Sequence, residues 1–124
     1  MDDQLAVAWA AGLIEGEGCL QFRKRKRNGG RSYDWTQSVH VSSTDLDVLE
    51  RLRDVLGGPP VYGPYEPTAS SRDGYNRQPH YTWRVSKREE VKRILELIRP
   101  YLCFRRGQKA DEVLAGIAKR AAVA

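Results

Sequence analysis

Two carboxylates set among glycines, Glu15-Gly16-Glu17-Gly18, stand directly ahead of the basic run Arg23-Lys24-Arg25-Lys26-Arg27. Basic side chains attract phosphate and carboxylates repel it. Acid beside base becomes useful once a divalent cation sits between carboxylate and phosphate. Mg²⁺ takes oxygen ligands, commonly one or two carboxylates with substrate phosphate and water. It polarises the phosphoryl group, lowers the pKa of a bound water and stabilises the leaving oxygen. Glu17, with glycine on either side, has the backbone room for a polyanion to approach, and the Gly16 carbonyl offers a second oxygen. The same spacing also fits a plain helix C-cap followed by an exposed acid.

Elements legible in the hydropathy pattern must hold these groups. Residues 3–15 read as a helix capped by Asp2 or Asp3, with Leu5, Ala8, Trp9, Gly12 and Leu13 at helical spacing and Gly16 and Gly18 as its stop. Residues 19–27 alternate, with Leu20 and Phe22 on one face and Gln21, Arg23, Arg25 and Arg27 on the other. Lys24 and Lys26 fall past the core. Asn28-Gly29-Gly30 marks a hairpin turn. The return strand, 33–42, sets Trp35, Val39 and Val41 against Thr36, Ser38, His40 and Ser42.

A second helix follows, capped by Thr44, with Val48, Leu49, Leu52, Val55 and Leu56 as its stripe and Gly57 to Pro60 as its end. A short strand at 61–65 leads into the polar, turn-rich segment 66–79, a long hairpin loop. Residues 80–86 alternate again, Tyr81, Trp83 and Val85 against His80, Thr82, Arg84 and Ser86. A third helix over 87–99 buries Val91, Ile94, Leu95 and Ile98 and breaks at Pro100. A last helix starts near 106.

This order predicts an α+β domain spanning 1–124, with one four-stranded antiparallel sheet and helices on one face. The free face would carry Gln21, Arg23, Arg25, Arg27, Ser38, His40, Thr82 and Arg84. Such side chains suit base edges and phosphates in a DNA groove, although a solvated sheet face alternates in the same way. The density of arginine at 23, 25 and 27 favours nucleic acid.

Composition agrees. The 124 residues suffice for one domain with a real core. Lys and Arg number 21 against 16 Asp and Glu, a formal net charge of +5, which makes nucleic acid a natural partner. No apolar run reaches the roughly 20 residues that cross a bilayer, and the acidic start, without a basic n-region, predicts no secretory signal. Cys19 and Cys103 lack metal-ligand spacing, and a reduced intracellular pair is expected.

The segment Ala10-Ala11-Gly12-Leu13-Ile14-Glu15-Gly16-Glu17-Gly18 resembles the signature helix of the LAGLIDADG homing endonucleases. Ala11, Gly12, Leu13, Ile14 and Gly18 match it letter for letter. Glu15 and Glu17 replace its aspartates, Gly16 an alanine and Ala10 the leading leucine. The α-β-β-α-β-β-α order is that family's core, here with an extra C-terminal helix, and residues 99–109 resemble the segment that carries a basic residue of the catalytic pocket.

The resemblance implies a metal-dependent, site-specific double-strand DNA endonuclease that leaves short 3′ extensions. Glu17 would bind Mg²⁺ (or Mn²⁺) with the Gly16 backbone, and Arg105 would stabilise developing phosphate charge. Ser42 or Ser43 would organise water. Arginine keeps the positive charge of the family's lysine but cannot act as a base at neutral pH. Arg72 and Arg77 in the second hairpin loop complete the expected DNA contacts. With one motif and no internal repeat, the chain is expected to act as a homodimer paired through Ala8, Ala11 and Gly12, on a palindromic or pseudo-palindromic site. The expected location is intracellular, cytoplasmic in a prokaryote or phage and organellar or nuclear otherwise. Competing readings on the same fold are a non-cutting DNA-binding regulator and an RNA-binding splicing maturase.

Overall fold

The computed structural model describes residues 3–26, 30, 32–66 and 78–123. Arg27, Arg72 and Arg77 lie outside the described residues.

The elements follow the expected order: α1 (Gln4–Glu17), β1 (Gly18–Lys26), β2 (Tyr33–Ser43), α2 (Leu46–Leu56), β3 (Tyr62–Tyr65), β4 (His80–Val85), α3 (Arg88–Ile98) and α4 (Phe104–Val123), with a 3₁₀ turn at Arg99–Tyr101 before α4. The strands form one antiparallel sheet in the order β1-β2-β4-β3, so the two hairpins lie side by side with their second strands in contact. Among the described residues, no helix is long and apolar enough to cross a membrane.

Alternation sorts the sheet into two faces. Leu20, Val39, Val41, Trp83 and Val85 point to the helices and are buried. They meet Val7, Ala10, Ala11 and Ile14 of α1, Leu49, Leu52 and Leu56 of α2, Val91, Ile94, Leu95 and Ile98 of α3, and Ala110, Val113 and Ile117 of α4. The Trp83 indole is wholly buried and donates its N–H to the Gly57 carbonyl at 3.0 Å, which removes the cost of an unpaired donor. Phe22 stacks on Trp35 with centroids 4.9 Å apart. Its ring lies where a Cβ on Gly116 would be, so glycine lets α4 settle on β1. Lys24 also turns to this side and sets its ammonium 4.1 Å from the Tyr33 ring centroid.

Two expected boundaries are corrected. The signature helix does not stop at 15. Gly16 stays helical, Glu17 is the last helical residue, and α1 runs into β1 with no loop. Gly18 has extended backbone, and its requirement is space: a Cβ there would lie 2.7 Å from the Ile14 carbonyl oxygen. The second helix is capped at Asp45 rather than Thr44, because the Ser43 hydroxyl accepts the Asp45 N–H at 3.0 Å and turns the chain one residue later.

Candidate active site and nucleic-acid interface

The two motif acids have different surroundings. Glu15 faces back into the chain. Its carboxylate accepts the Cys103 backbone N–H at 2.6 Å, just ahead of α4, and stands 3.8 Å from the Arg106 guanidinium. Arg106 also donates to the Glu15 carbonyl at 3.3 Å. Hydrogen bonding to Glu15, reinforced by its charge, pushes the Cys103 thiol pKa up. Cys19 and Cys103 are both free thiols. Glu15 is therefore an anchor between α1 and α4.

Glu17 is exposed, with no hydrogen bond or ion pair among the described residues. It lines a cleft of about 520 Å³ with Leu13, Ser42, Ser43, Thr44, Asp45 and His80. Gly16 is exposed, and the space its side chain would occupy is open. Its carbonyl belongs to the last turn of α1, where carbonyls lack intrahelical donors. A free carboxylate, a free carbonyl and open space form a hard-oxygen donor set that fits Mg²⁺ or Ca²⁺. The described residues contain no cluster of three or more acidic, histidine or cysteine ligands.

Across the sheet's open face, Gln21, Arg23, Arg25, Thr36, Ser38 and Arg84 line a cleft of about 560 Å³. The register places Gln21 opposite Ser38, Arg23 opposite Thr36 and His40 opposite Arg84. Ser38 is buried and its hydroxyl donates to the amide oxygen of its cross-strand neighbour Gln21 at 3.5 Å. Ser42 and Thr82 share a hydrogen bond at 2.9 Å. Burial, then the charges of Arg84 and Arg23, lower the His40 pKa. Its buried Nδ1 has no hydrogen-bond partner among the described residues.

Two expected placements differ. Arg105 is exposed on the first turn of α4 and shares a cleft with Leu20, Arg106, Lys109 and Glu112; within one chain Glu17 lines a separate cleft. Ala11, expected on the dimer surface, is fully buried in its own chain, because the helix turns it toward the core beside Ala10 and Ile14. The outward stripe of α1 instead runs through Leu5, which is 83% exposed, half-buried Ala8, and exposed Gly12 and Gly16. His80, read from sequence only as a polar-face residue, joins the Glu17 cleft, and Tyr62 and Tyr65 join the open face.

A helix-end acid beside a cationic sheet face defines a nuclease-like site on an α+β fold. Residues 10–110 match the family model described as LAGLIDADG endonuclease, and the chain belongs to that family. Among solved structures, the homing endonuclease I-CvuI, in complex with the I-CreI target in the presence of Mg, is similar at 25% identity. That likeness covers 94% of this chain and 68% of I-CvuI, with a TM-score of 0.73. I-CvuI with its own target in the presence of Ca gives 25% identity, the same coverage and a TM-score of 0.72. The group I intron-encoded homing endonuclease I-CeuI, complexed with DNA, shares the fold at 13% identity, over 95% of this chain and 56% of its own, with a TM-score of 0.71. No curated protein matches the chain.

Proposed function

We propose that this chain is a homodimeric, Mg²⁺-dependent, site-specific double-strand DNA endonuclease. The observation that carries the proposal is the division of labour between the motif acids. Glu15 is spent on the fold, while Glu17 stands free at the helix end beside the reading face. Glu17 and the Gly16 carbonyl would hold the cation. The cation supplies a polarised phosphoryl group and an activated water at neutral pH.

The chain's own groups do the rest. Arg23, Arg25 and Arg84 hold the duplex on the open face through phosphate and base-edge contacts. Ser42 and Ser43, on the wall of the Glu17 cleft, can orient water. Arg105 would reach phosphate at the edge of the site, as a fixed positive charge.

Pairing of two copies through Leu5, Ala8, Gly12 and Gly16 would set one Glu17 for each DNA strand. Small residues at this spacing let two helices approach closely. The nine residues of β1, at roughly 3.3 Å each, run about 30 Å along a duplex. Base pairs rise 3.4 Å each, so one chain covers about nine of them and two copies about eighteen. An isologous pair prefers a palindromic or pseudo-palindromic sequence.

The test is cleavage of randomised duplex DNA, read by sequencing, with Mg²⁺, Mn²⁺ or chelator. Wild type should cut one class of site only with metal, and Glu17→Gln should bind that site without cutting it. Equal cleavage by both proteins would overturn the role of Glu17. Binding with no metal-dependent nicking would make the chain a regulator, and preference for structured RNA would make it a maturase.

A further inference from the structure

The open face is not uniform. The β1–β2 half is arginine and amide, but the β3–β4 half is aromatic. Tyr62 and Tyr65 are 52% and 46% exposed. In a regular strand, residues three apart point to opposite faces. Here the register shifts between them, so Tyr62 stands opposite Thr82 and Tyr65 opposite His80. Both tyrosines therefore look out of the open face. With Pro59, Thr82, Arg84 and Glu90 they line a cleft of about 440 Å³. The Tyr65 ring lies 5.4 Å from that of His80, itself on the wall of the Glu17 cleft.

Given the endonuclease reading, on which this rests, we propose that Tyr62 and Tyr65 read thymine 5-methyl groups in the major groove. The 5-methyl is the apolar group on the major-groove edge of a base pair, and exposed tyrosine rings are its natural contact. The Glu90 carboxylate disfavours phosphate at its own place on the lining and leaves the tyrosine faces for base edges. Arg84 and Lys87 on its rim keep the duplex seated. The cleft is continuous with the arginine half through Arg84, which lines both. Because Tyr65 adjoins His80, the thymines should lie near the cleavage point, and the positions read by Arg23 and Arg25 farther out.

The experiment uses the full chain and the duplex it selects from randomised DNA. Each thymine is replaced in turn by deoxyuridine, which keeps the pairing and removes only the methyl. At one or more symmetric pairs of inner positions, affinity should fall about fourfold per methyl, as expected for one buried carbon at about 0.8 kcal/mol. Tyr62→Ser combined with Tyr65→Ser should be indifferent to the same replacement, while Tyr62→Phe with Tyr65→Phe keeps the penalty. Far-UV circular dichroism confirms that both variants fold. A selected site without inner thymine, a wild type indifferent to every deoxyuridine, or a serine variant that keeps the penalty would overturn the proposal. Failure to select any duplex would instead remove the endonuclease reading beneath it.

Discussion

Substituting the two motif acids separately should split stability from chemistry. Glu15→Ala removes the acceptor of the Cys103 N–H and the partner of Arg106. A hydrogen bond to a charged group contributes about 1.5–3 kcal/mol. The ion pair adds less, about 0.2–1 kcal/mol before discounting: its side chains are 26% and 25% exposed and its 3.8 Å separation is long. Together they give a loss of about 2–3 kcal/mol, while the Arg106 bond to the Glu15 backbone carbonyl remains. With a urea m-value of about 2 kcal/mol/M for a chain this small, the unfolding midpoint should fall by about 1 M or slightly more. Glu17→Ala breaks nothing among the described residues and should stay within about 0.5 kcal/mol of wild type. The assay is urea unfolding followed by circular dichroism, at one fixed protein concentration because the proposed pairing would add to apparent stability. A Glu15→Ala midpoint equal to wild type, or a Glu17→Ala midpoint that falls as far, would refute the assignment of anchor and ligand.

Gly12→Leu meets open space within its own chain, so the monomer should fold, while the proposed helix pairing should be blocked; sedimentation should show a monomer, and an unchanged dimer would move the interface off α1. The His40 pKa is lowered by burial and by Arg84 and Arg23, so the unfolded chain takes up a proton that the folded chain refuses. Stability tied to this group is full above the unfolded value of 6.5 and is lost as pH falls below it, at up to about 1.4 kcal/mol per pH unit until the folded pKa is reached. His40→Gln should flatten this part of the urea-midpoint profile between about pH 7.5 and 5.5, and an unaltered profile would place the titration elsewhere.

Much of this was legible in the sequence because period and composition agreed. The alternation of Gln21, Arg23 and Arg25 against Leu20 and Phe22 predicts the two sheet faces as found, since a strand offers one binary choice per residue. Small residues are less informative. Ala8, Ala11 and Gly12 read alike, but only packing decides that Ala11 turns inward. The end of α1 is not legible from its glycines: as stop signals they predict an end near 15, whereas Gly18 answers to the Ile14 carbonyl and Gly16 continues the helix. Tyr62 and Tyr65 are not legible as partners on one face, because a regular strand sends residues three apart to opposite sides and the shift in register between them leaves no hydropathy signal.

The direct passage from α1 into β1 has an evolutionary consequence. The acid is the final residue of a helix rooted in the core, and the side chains proposed to meet the duplex line the open face of the following strand, away from the helices. Exchanging Gln21, Arg23 or Arg25 leaves Leu20 and the Gly18 contact untouched. On the proposed assignment, a lineage carrying this chain could drift toward new target sequences by surface substitutions one at a time, with Glu17 and its helix carried along unchanged.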